Sequence, residues 1–284
     1  MPLESQIKVQ INPDVPPTGS DLSIVNAARR SFNTRSEWAS EAECPTDEVT
    51  GGKIPPYKRL KDKDKRLLEF LARGMTADDF EDFLHSMDNR TPTDLGPERE
   101  DVVDKLWQWR NTPTHDTPFN HTFISFEVQA PIFVRAQLVK HEYLIMSEFS
   151  RRYITDDITF YIPDVWRKAA KDKKQGSSNE AVNVAYYDRD DGYNDWPTDA
   201  NSVSLEAYQE MLKLGVAPEM ARMVLPQSTM TEWTWSGTLG AFAKMCTLRL
   251  HPEAQYEARL VAQQVYDHLK EYYPVGAPAL VEGV

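Results

Sequence analysis

Two cysteines, Cys44 and Cys246, in 284 residues are too few for a disulfide framework or a cysteine-rich zinc site. Thiols this sparse fit a reducing, cytoplasmic setting. Glycine is scarce as well: the chain has twelve, and none forms the G-x-G-x-x-G loop that cradles a dinucleotide phosphate. No apolar run approaches the roughly 20 residues needed to span a membrane. The stretch Met1 to Gln10 lacks the basic start and apolar core of a signal peptide. Positive charge is in deficit, with 32 Lys and Arg against 44 Asp and Glu, a net charge of -12. That balance excludes broad, non-specific attraction to nucleic acid or an anionic membrane. One small anionic ligand in a locally basic pocket remains compatible with it. No internal repeat is present.

What the chain does have is enough apolar and aromatic material, 40% and 11%, for a sizeable core in a single domain. Ile24, Ala27, Ala28 and Ser31 share a face, which predicts a helix over 21–32 with Ser20 or Asp21 as N-cap. A polar loop follows over 34–60. A second helix is expected over 61–73, with Leu67, Leu68 and Leu71 inward. Two more are expected after Thr76 and over 99–110. Residues 121–129 alternate, with Ile124, Phe126 and Val128 on one side and Ser125 and Glu127 on the other, which reads as a half-buried strand. Pro131 then suits the first turn of a helix running to about His141. Residues 153–161 read as extended, and the polar stretch 172–200 as a flexible surface loop. Helices are expected over 203–214, 218–224, 237–249 and 253–272, the last with Ala258, Val261, Val265 and Leu269 on one face. No strand–helix alternation occurs, so the class is α+β and mainly helical, not a doubly wound sheet.

Three clusters are richer in polar groups than a core needs. The densest runs from Gln137 through Lys140, His141 and Glu142 to Ser147, Glu148, Phe149, Ser150, Arg151, Arg152 and Tyr153. Gln137 lies three before Lys140 and four before His141, so the three share a helical face. The plain reading is a solvated helix end. The sharper reading is a phosphate cradle, since arginine forks and hydroxyls bind phosphate oxygens. The second cluster, His115 to His121, reads as turn and cap residues before a metal site. The third joins Arg222 to Pro226, the aromatic run Thr231 to Thr238, and Arg249; its aromatics read first as core and second as a stacking surface. Cys246 shares an apolar face with Phe242 and Met245, so it reads as an inert buried thiol. No cluster offers a convincing nucleophile–base pair.

Taken in order, these segments resemble the flavin-dependent thymidylate synthases, the family unrelated to the cysteine-nucleophile synthases. Its signature is Arg-His-Arg, two residues, Ser, one residue, Asn, two residues, Ser, one residue, Arg. Here His141, Ser150 and Arg152 match, while Lys140, Glu142, Ile145 and Ser147 replace Arg, Arg, Ser and Asn. The flanking matches are His115 to His121, Pro131 to Val134, Gln137, Ala221 to Pro226, Thr231 to Ser236, Leu248-Arg249, and Ala254-Gln255-Tyr256-Glu257. The Lys-His form, the run from Phe160 to Arg167, and Lys174 to Ser177 resemble the bacteriophage-type branch. Residues 74–112 look like an insertion.

The resemblance implies a small, mostly antiparallel sheet within the helical fold. It implies a homotetramer that uses FAD, NADPH and methylenetetrahydrofolate to methylate dUMP at C5, with each site built from more than one subunit and no binding to nucleic acid or membrane. It carries a dUMP role to Gln137, Leu138, Val139, Lys140, Glu148, Phe149, Ser150, Arg151, Arg152 and Arg222. It carries the catalytic role to Arg249, which would contact the base and favour its N3-deprotonated form. It places His115, Thr117, Lys140, His141, Glu142, Ser147, Glu148, Thr238, Gly240 and Lys244 toward FAD. No metal is implied, and no enzymic nucleophile is needed, because cofactor and folate carry the redox and one-carbon chemistry. Thr238, Gly240 and Lys244 stand where relatives often have Asn, Arg and Asn. Glu142 puts an anion where a cation is usual, which implies one of three outcomes: an altered flavin affinity or potential, compensation by Lys244, or a changed substrate. Two other functions fit the same residues: C5 modification of another pyrimidine nucleotide such as dCMP, or a non-catalytic nucleotide-binding relic. Gln137, Arg152, Arg222 and Arg249 argue against the relic.

Overall fold

The computed structural model describes residues 3–4, 6–40, 59–73, 115–171, 177–188 and 192–281. Cys44, the helices expected after Thr76 and over 99–110, and the proposed insertion at 74–112 lie outside the described residues.

In chain order the strands and helices are β1 (Leu3–Glu4), β2 (Lys8–Ile11), α1 (Asp21–Arg29), α2 (Asp62–Arg73), β3 (Ile124–Pro131), α3 (Ile132–Leu138), β4 (Ile145–Glu148), β5 (Thr159–Phe160), β6 (Arg167–Ala169), β7 (Ser177–Ala181), β8 (Ala185–Asp188), β9 (Gly192–Asp195), α4 (Trp196–Lys213), α5 (Pro218–Ala221), β10 (Met230–Gly237), α6 (Leu239–Arg249), α7 (Tyr256–Tyr272) and α8 (Gly276–Val281). The α+β, mainly helical expectation holds. The chain divides into two compact units, each assembled from three separated pieces.

The first unit comprises Met1–Pro16, Ser125–Ser236 and Leu248–Val265. Its centre is a four-stranded sheet in the order β2-β3-β10-β4, with β2 antiparallel to β3 and β4 antiparallel to β10. Alternation decides its two faces. Val9, Phe126, Val128, Trp233 and Trp235 are buried, and full burial of a side chain of this size contributes about 1.5–3 kcal/mol. Lys8, Gln10, Glu127, Gln129 and Glu232 point the other way, and the last four pair across strands, Gln10 with Glu127 at 2.7 Å and Gln129 with Glu232 at 2.8 Å. A second apolar cluster gathers Ile158, Phe160, Tyr208 and Ala221.

Several elements differ from expectation. Pro131 is not the first helical residue: it closes β3 and caps α3 with φ -69° and ψ 154°. The chain passes from strand to helix with no loop, so the proline's fixed φ serves the junction. The expected helix end at His141 falls at Leu138. Strand β10 lies where an aromatic cluster and a helix start were read. The stretch 172–200, read as a flexible loop, contains β7, β8, β9 and the first turn of α4 in its described residues. Asp195 caps α4 by accepting from the Thr198 N–H at 2.9 Å, so that helix starts at Trp196 and not at 203. Its expected stop at Gly215 is found. There φ is +85°, and the N–H groups of Gly215 and Val216 return to Leu212 and Met211, the double-bonded helix end that glycine permits.

The second unit comprises Pro17–Ile124, Gly237–Thr247 and Tyr266–Val284. Ser20 caps α1 in a reciprocal box with Ser23. Asp21, the other expected cap, turns away to accept the N–H groups of Val275 and Gly276, each at 2.9 Å, at the start of α8. In α2, Leu68 and Leu71 are buried as expected, and Asp64 is buried with them. Asp64 is paired with Arg29 and accepts from the Ser36 hydroxyl at 2.9 Å. Cys246 is fully buried in α6, and burial pushes its thiol well above the ordinary range.

Candidate functional site

The densest sequence cluster falls in the first unit, around the end of α3. The opening N–H groups of α3 are satisfied by carbonyls: Ile132 donates to Thr229 and Phe133 to Gln227. At its other end, His141 N–H returns to the Leu138 carbonyl at 3.2 Å. The Gln137 carbonyl would be an orphan. It accepts from Nη2 of Arg249 at 3.0 Å, while Nε of the same guanidinium donates to Nε2 of His141 at 2.9 Å. Burial and the neighbouring guanidinium hold the His141 pKa down at about 4. Burial also lowers that of Arg249. Arg249 has no carboxylate partner among the described residues. The Gln137 side chain donates to that of Gln255, just before α7. Residues 108 and 112 apart in sequence thus form one constellation: Gln137, His141 and Arg249, with Gln255 beside it.

Glu148, expected at both substrate and cofactor, is already engaged on both oxygens. Arg135 reaches Oε2 at 2.7 Å and the Thr231 hydroxyl donates to Oε1 at 2.8 Å. Arg151 spends its fork on the carbonyls of Asp156 and Asp157, at 2.7 and 3.4 Å, and lies over the Phe149 ring. It braces a loop and does not offer its fork to a ligand. Arg152 is different: exposed, it contacts the Ser150 hydroxyl at 3.3 Å and the Tyr153 ring. Lys140 and Arg222 are also exposed, and neither has a carboxylate partner among the described residues. Leu138 is fully buried, which leaves only its backbone for any ligand; Val139 is exposed. Ser147 sits on the outer sheet face opposite Thr234 and, with Phe149, Lys8, Gln129 and Glu232, lines a groove of about 360 Å³. Glu142 is exposed and has no ion pair among the described residues.

The remaining expected positions lie in the second unit. Thr117 opens a short 3-10 turn, Thr117–Asn120, and His115 precedes it with its N–H on the Leu71 carbonyl. Asn120 accepts from the Thr238 hydroxyl at 2.7 Å, and that hydroxyl also accepts the Ala241 N–H, so Thr238 caps α6. Gly240 is buried against Asn120: a Cβ there would stand 2.6 Å from Oδ1. Lys244 is paired with Asp116 at 2.9 Å, so its charge is already balanced. Thr238 and Gly240 are thus engaged with Asn120, and Lys244 with Asp116.

Arg135, Thr231, Asn120, Asp116 and Gln255 were not picked out as site residues. Asp116, Asn120, Thr231 and Gln255 each lie in a family-like segment, and Arg135 alone carried no signal. No group of three or more His, Cys, Asp or Glu side chains suited to a metal ion occurs among the described residues, and no helix there is long and apolar enough to cross a membrane.

The sequence model of the family described as thymidylate synthase complementing protein matches residues 17–275. The chain belongs to that family. Its match takes in every segment on which the resemblance rested, from α1 to α7. Among named relatives, the flavin-dependent thymidylate synthase of Thermus thermophilus is 36% identical over 191 residues, a stretch covering 65% of this chain and 65% of that protein. That of Thermosipho africanus is 35% identical over 160 residues, 56% of this chain and 68% of the relative. The fold is similar to that of a solved UMP/dUMP methylase, PolB from Streptomyces cacaoi, crystallised with 5-Br dUMP. The TM-score is 0.62 with 24% identity, over 99% of this chain and 97% of that one. As a member of this family the chain keeps its signature His141, Ser150 and Arg152, and the structure joins His141 to Arg249.

Proposed function

We propose that this chain methylates a pyrimidine nucleotide at C5, converting dUMP to dTMP. Methylenetetrahydrofolate is the carbon donor, FAD the redox cofactor and NADPH the reductant. The observation that carries the reading is Arg249, a half-buried guanidinium without a carboxylate partner among the described residues, held by a carbonyl and an imidazole. Family membership and the similarity to flavin-dependent thymidylate synthases support the same activity.

The residues fit FAD in part. Its diphosphate and the nucleotide phosphate need cations that are not already neutralised, and Lys140, Arg152 and Arg222 meet that need among the described residues. His115, Thr117, His141, Glu142 and Ser147 remain the expected cofactor contacts, whereas Thr238, Gly240 and Lys244 are occupied with Asn120 and Asp116. Bound FAD supplies the two-electron chemistry, and the folate supplies the carbon.

The chain's own residues bind and polarise. Arg152 with Ser150, Lys140 and Arg222 take the phosphate. Arg249 presents donors only, so it matches a ring edge that is all acceptor. Neutral uracil carries a proton on N3; the N3 anion does not, and its extra density reaches C5. A fixed cation favours that anion without giving up a proton. No thiolate takes part, in accord with the buried Cys246. The resemblance completes the reading with a homotetramer whose sites draw on more than one subunit.

The donor-only edge also supports a second reading. Neutral cytosine offers two adjacent acceptors, O2 and N3, to the same group, so dCMP is the alternative substrate. The test is a visible flavin spectrum of the purified protein with and without dUMP, followed by turnover with each nucleotide. A flavin band perturbed by dUMP, with dTMP formed, is expected. A protein that stays colourless with added FAD sinks the proposal, and turnover of dCMP alone selects the second reading.

A further inference from the structure

We infer that His141 is the positioning residue of Arg249: its bare Nε2 holds the guanidinium side-on, and the end-on pair of N–H groups is thereby presented to the base. The inference rests on the proposed function for the identity of that base, but its geometry does not.

An arginine has five N–H donors in a rigid planar fork and no acceptor. The contact between Arg249 Nε and His141 Nε2, at 2.9 Å, therefore has one possible polarity. Arg249 donates, and Nε2 carries no proton. The imidazole is neutral, and its proton sits on Nδ1, the less common arrangement for a histidine free in water. Two independent effects keep it so: half-burial, and the adjacent positive charge, which together hold the pKa at about 4. A protonated imidazole would set two cations against each other and lose the hydrogen bond at once.

The second anchor is the Gln137 carbonyl, 3.0 Å from Nη2. Nε and the near side of Nη2 form one edge of the fork, and both are now used. What remains is the other edge, Nη1 with the far side of Nη2, which has no partner among the described residues. Anchoring by a neutral ring and a helix-end carbonyl has a chemical consequence. Neither group neutralises the guanidinium, as a carboxylate would, so the full charge is retained for the ligand. The Gln137 carbonyl lies at the negative end of α3, which compensates the cation without quenching it. The imidazole Nδ1–H, which points away from Arg249, has no partner among the described residues.

Two measurements test this. The first is 15N NMR of the histidine-labelled protein at neutral pH, read for His141 in wild type and in Arg249→Leu. The expected spectrum shows a neutral ring protonated on Nδ1 in wild type, and a shift to the Nε2–H form with a raised pKa in the variant. An Nε2–H or cationic ring in wild type overturns the inference. The second compares His141→Gln, whose carbonyl can still accept the Arg249 N–H, with His141→Leu, which cannot. Bound flavin and nucleotide affinity are read beside kcat. His141→Leu is expected to lower kcat about 100-fold, in keeping with misalignment of a reacting group, and His141→Gln to restore about 10-fold of it. Equal losses in both variants overturn the positioning role. The NMR result does not depend on any methylation, so failure of the proposed function and failure of this inference are separable.

Discussion

At the scale of single residues, the constellation at Arg249 is economical because it uses no opposite charge. Its loss should be felt in the reaction more than in the fold. Arg249→Lys keeps the charge but gives up the fork, and turnover is expected to fall by about 100-fold or more, the cost of removing a preorganised donor. The visible flavin spectrum should persist. Near-normal turnover would remove Arg249 from the chemistry. Gly240 is a second informative position. In Gly240→Ala the new methyl meets Asn120 Oδ1, 2.6 Å away, and Asn120 must turn and release Thr238. A loss of about 1 kcal/mol, that of one hydrogen bond, is expected in urea unfolding. In an Asn120→Ala background the same change should cost nothing more. An equal cost in both backgrounds would place the crowding elsewhere.

At the scale of elements, α1 and α8 meet through one buried carboxyl. Asp21 is 2% exposed, and burial outweighs its two backbone hydrogen bonds, so its pKa is pushed up from 3.8 to about 6. Below pH 3.8 folded and unfolded chains both hold the proton. Between that value and about 6 only the folded chain does, so stability falls as pH rises through this window and levels off above it. The contribution is on the order of 3 kcal/mol. The difference in urea midpoint between wild type and Asp21→Asn should change over that window and be flat above it; a difference that does not vary with pH would contradict the assignment. Elements also show what sequence could and could not reveal. Helix α7 was legible because Ala258, Val261, Val265 and Leu269 repeat on one face, and all four are fully buried. Strand β10 alternates as cleanly, with Trp233 and Trp235 inside and Glu232 outside, but its tryptophans drew attention as a cluster and hid the period. Strands β7, β8 and β9 had no apolar alternation to read; in β7, Ser177 to Glu180 is polar and the strand is mostly exposed. The site was legible as a set of segments, not as contacts. Nothing local to His141 announces Arg249, 108 residues later, and nothing local to Glu148 announces Thr231, 83 residues later.

At the scale of the whole molecule, the net charge of -12 conceals an uneven distribution. Residues 130–175 hold 9 basic and 6 acidic side chains, and residues 213–249 hold 4 and 2, so the rest of the chain carries -17. The acidic balance belongs to the remainder, and the segments that supply the proposed site are positive. Several large apolar side chains in the first unit are exposed in the single chain, among them Tyr143 at 81%, Met223 at 71% and Ile145 at 68%. With the family resemblance, they lead us to expect four chains in solution. Light scattering should give four times the chain mass of 32.6 kDa, and a mass of one chain would refute it.

One hydrogen bond of the sheet bears on how such a chain is made. The buried Val9 N–H donates to the Gln264 side chain at 2.9 Å, across 255 residues, and among the described residues β2 pairs with β3, where Val9 faces Val128. During synthesis, β2 emerges early, with neither its neighbouring strand nor its final acceptor yet made. At ordinary elongation speed the wait for Gln264 lasts roughly 10 to 50 s. Lys8 and Gln10, the outward residues of β2, give the waiting strand a charged and polar edge that discourages pairing with another nascent chain.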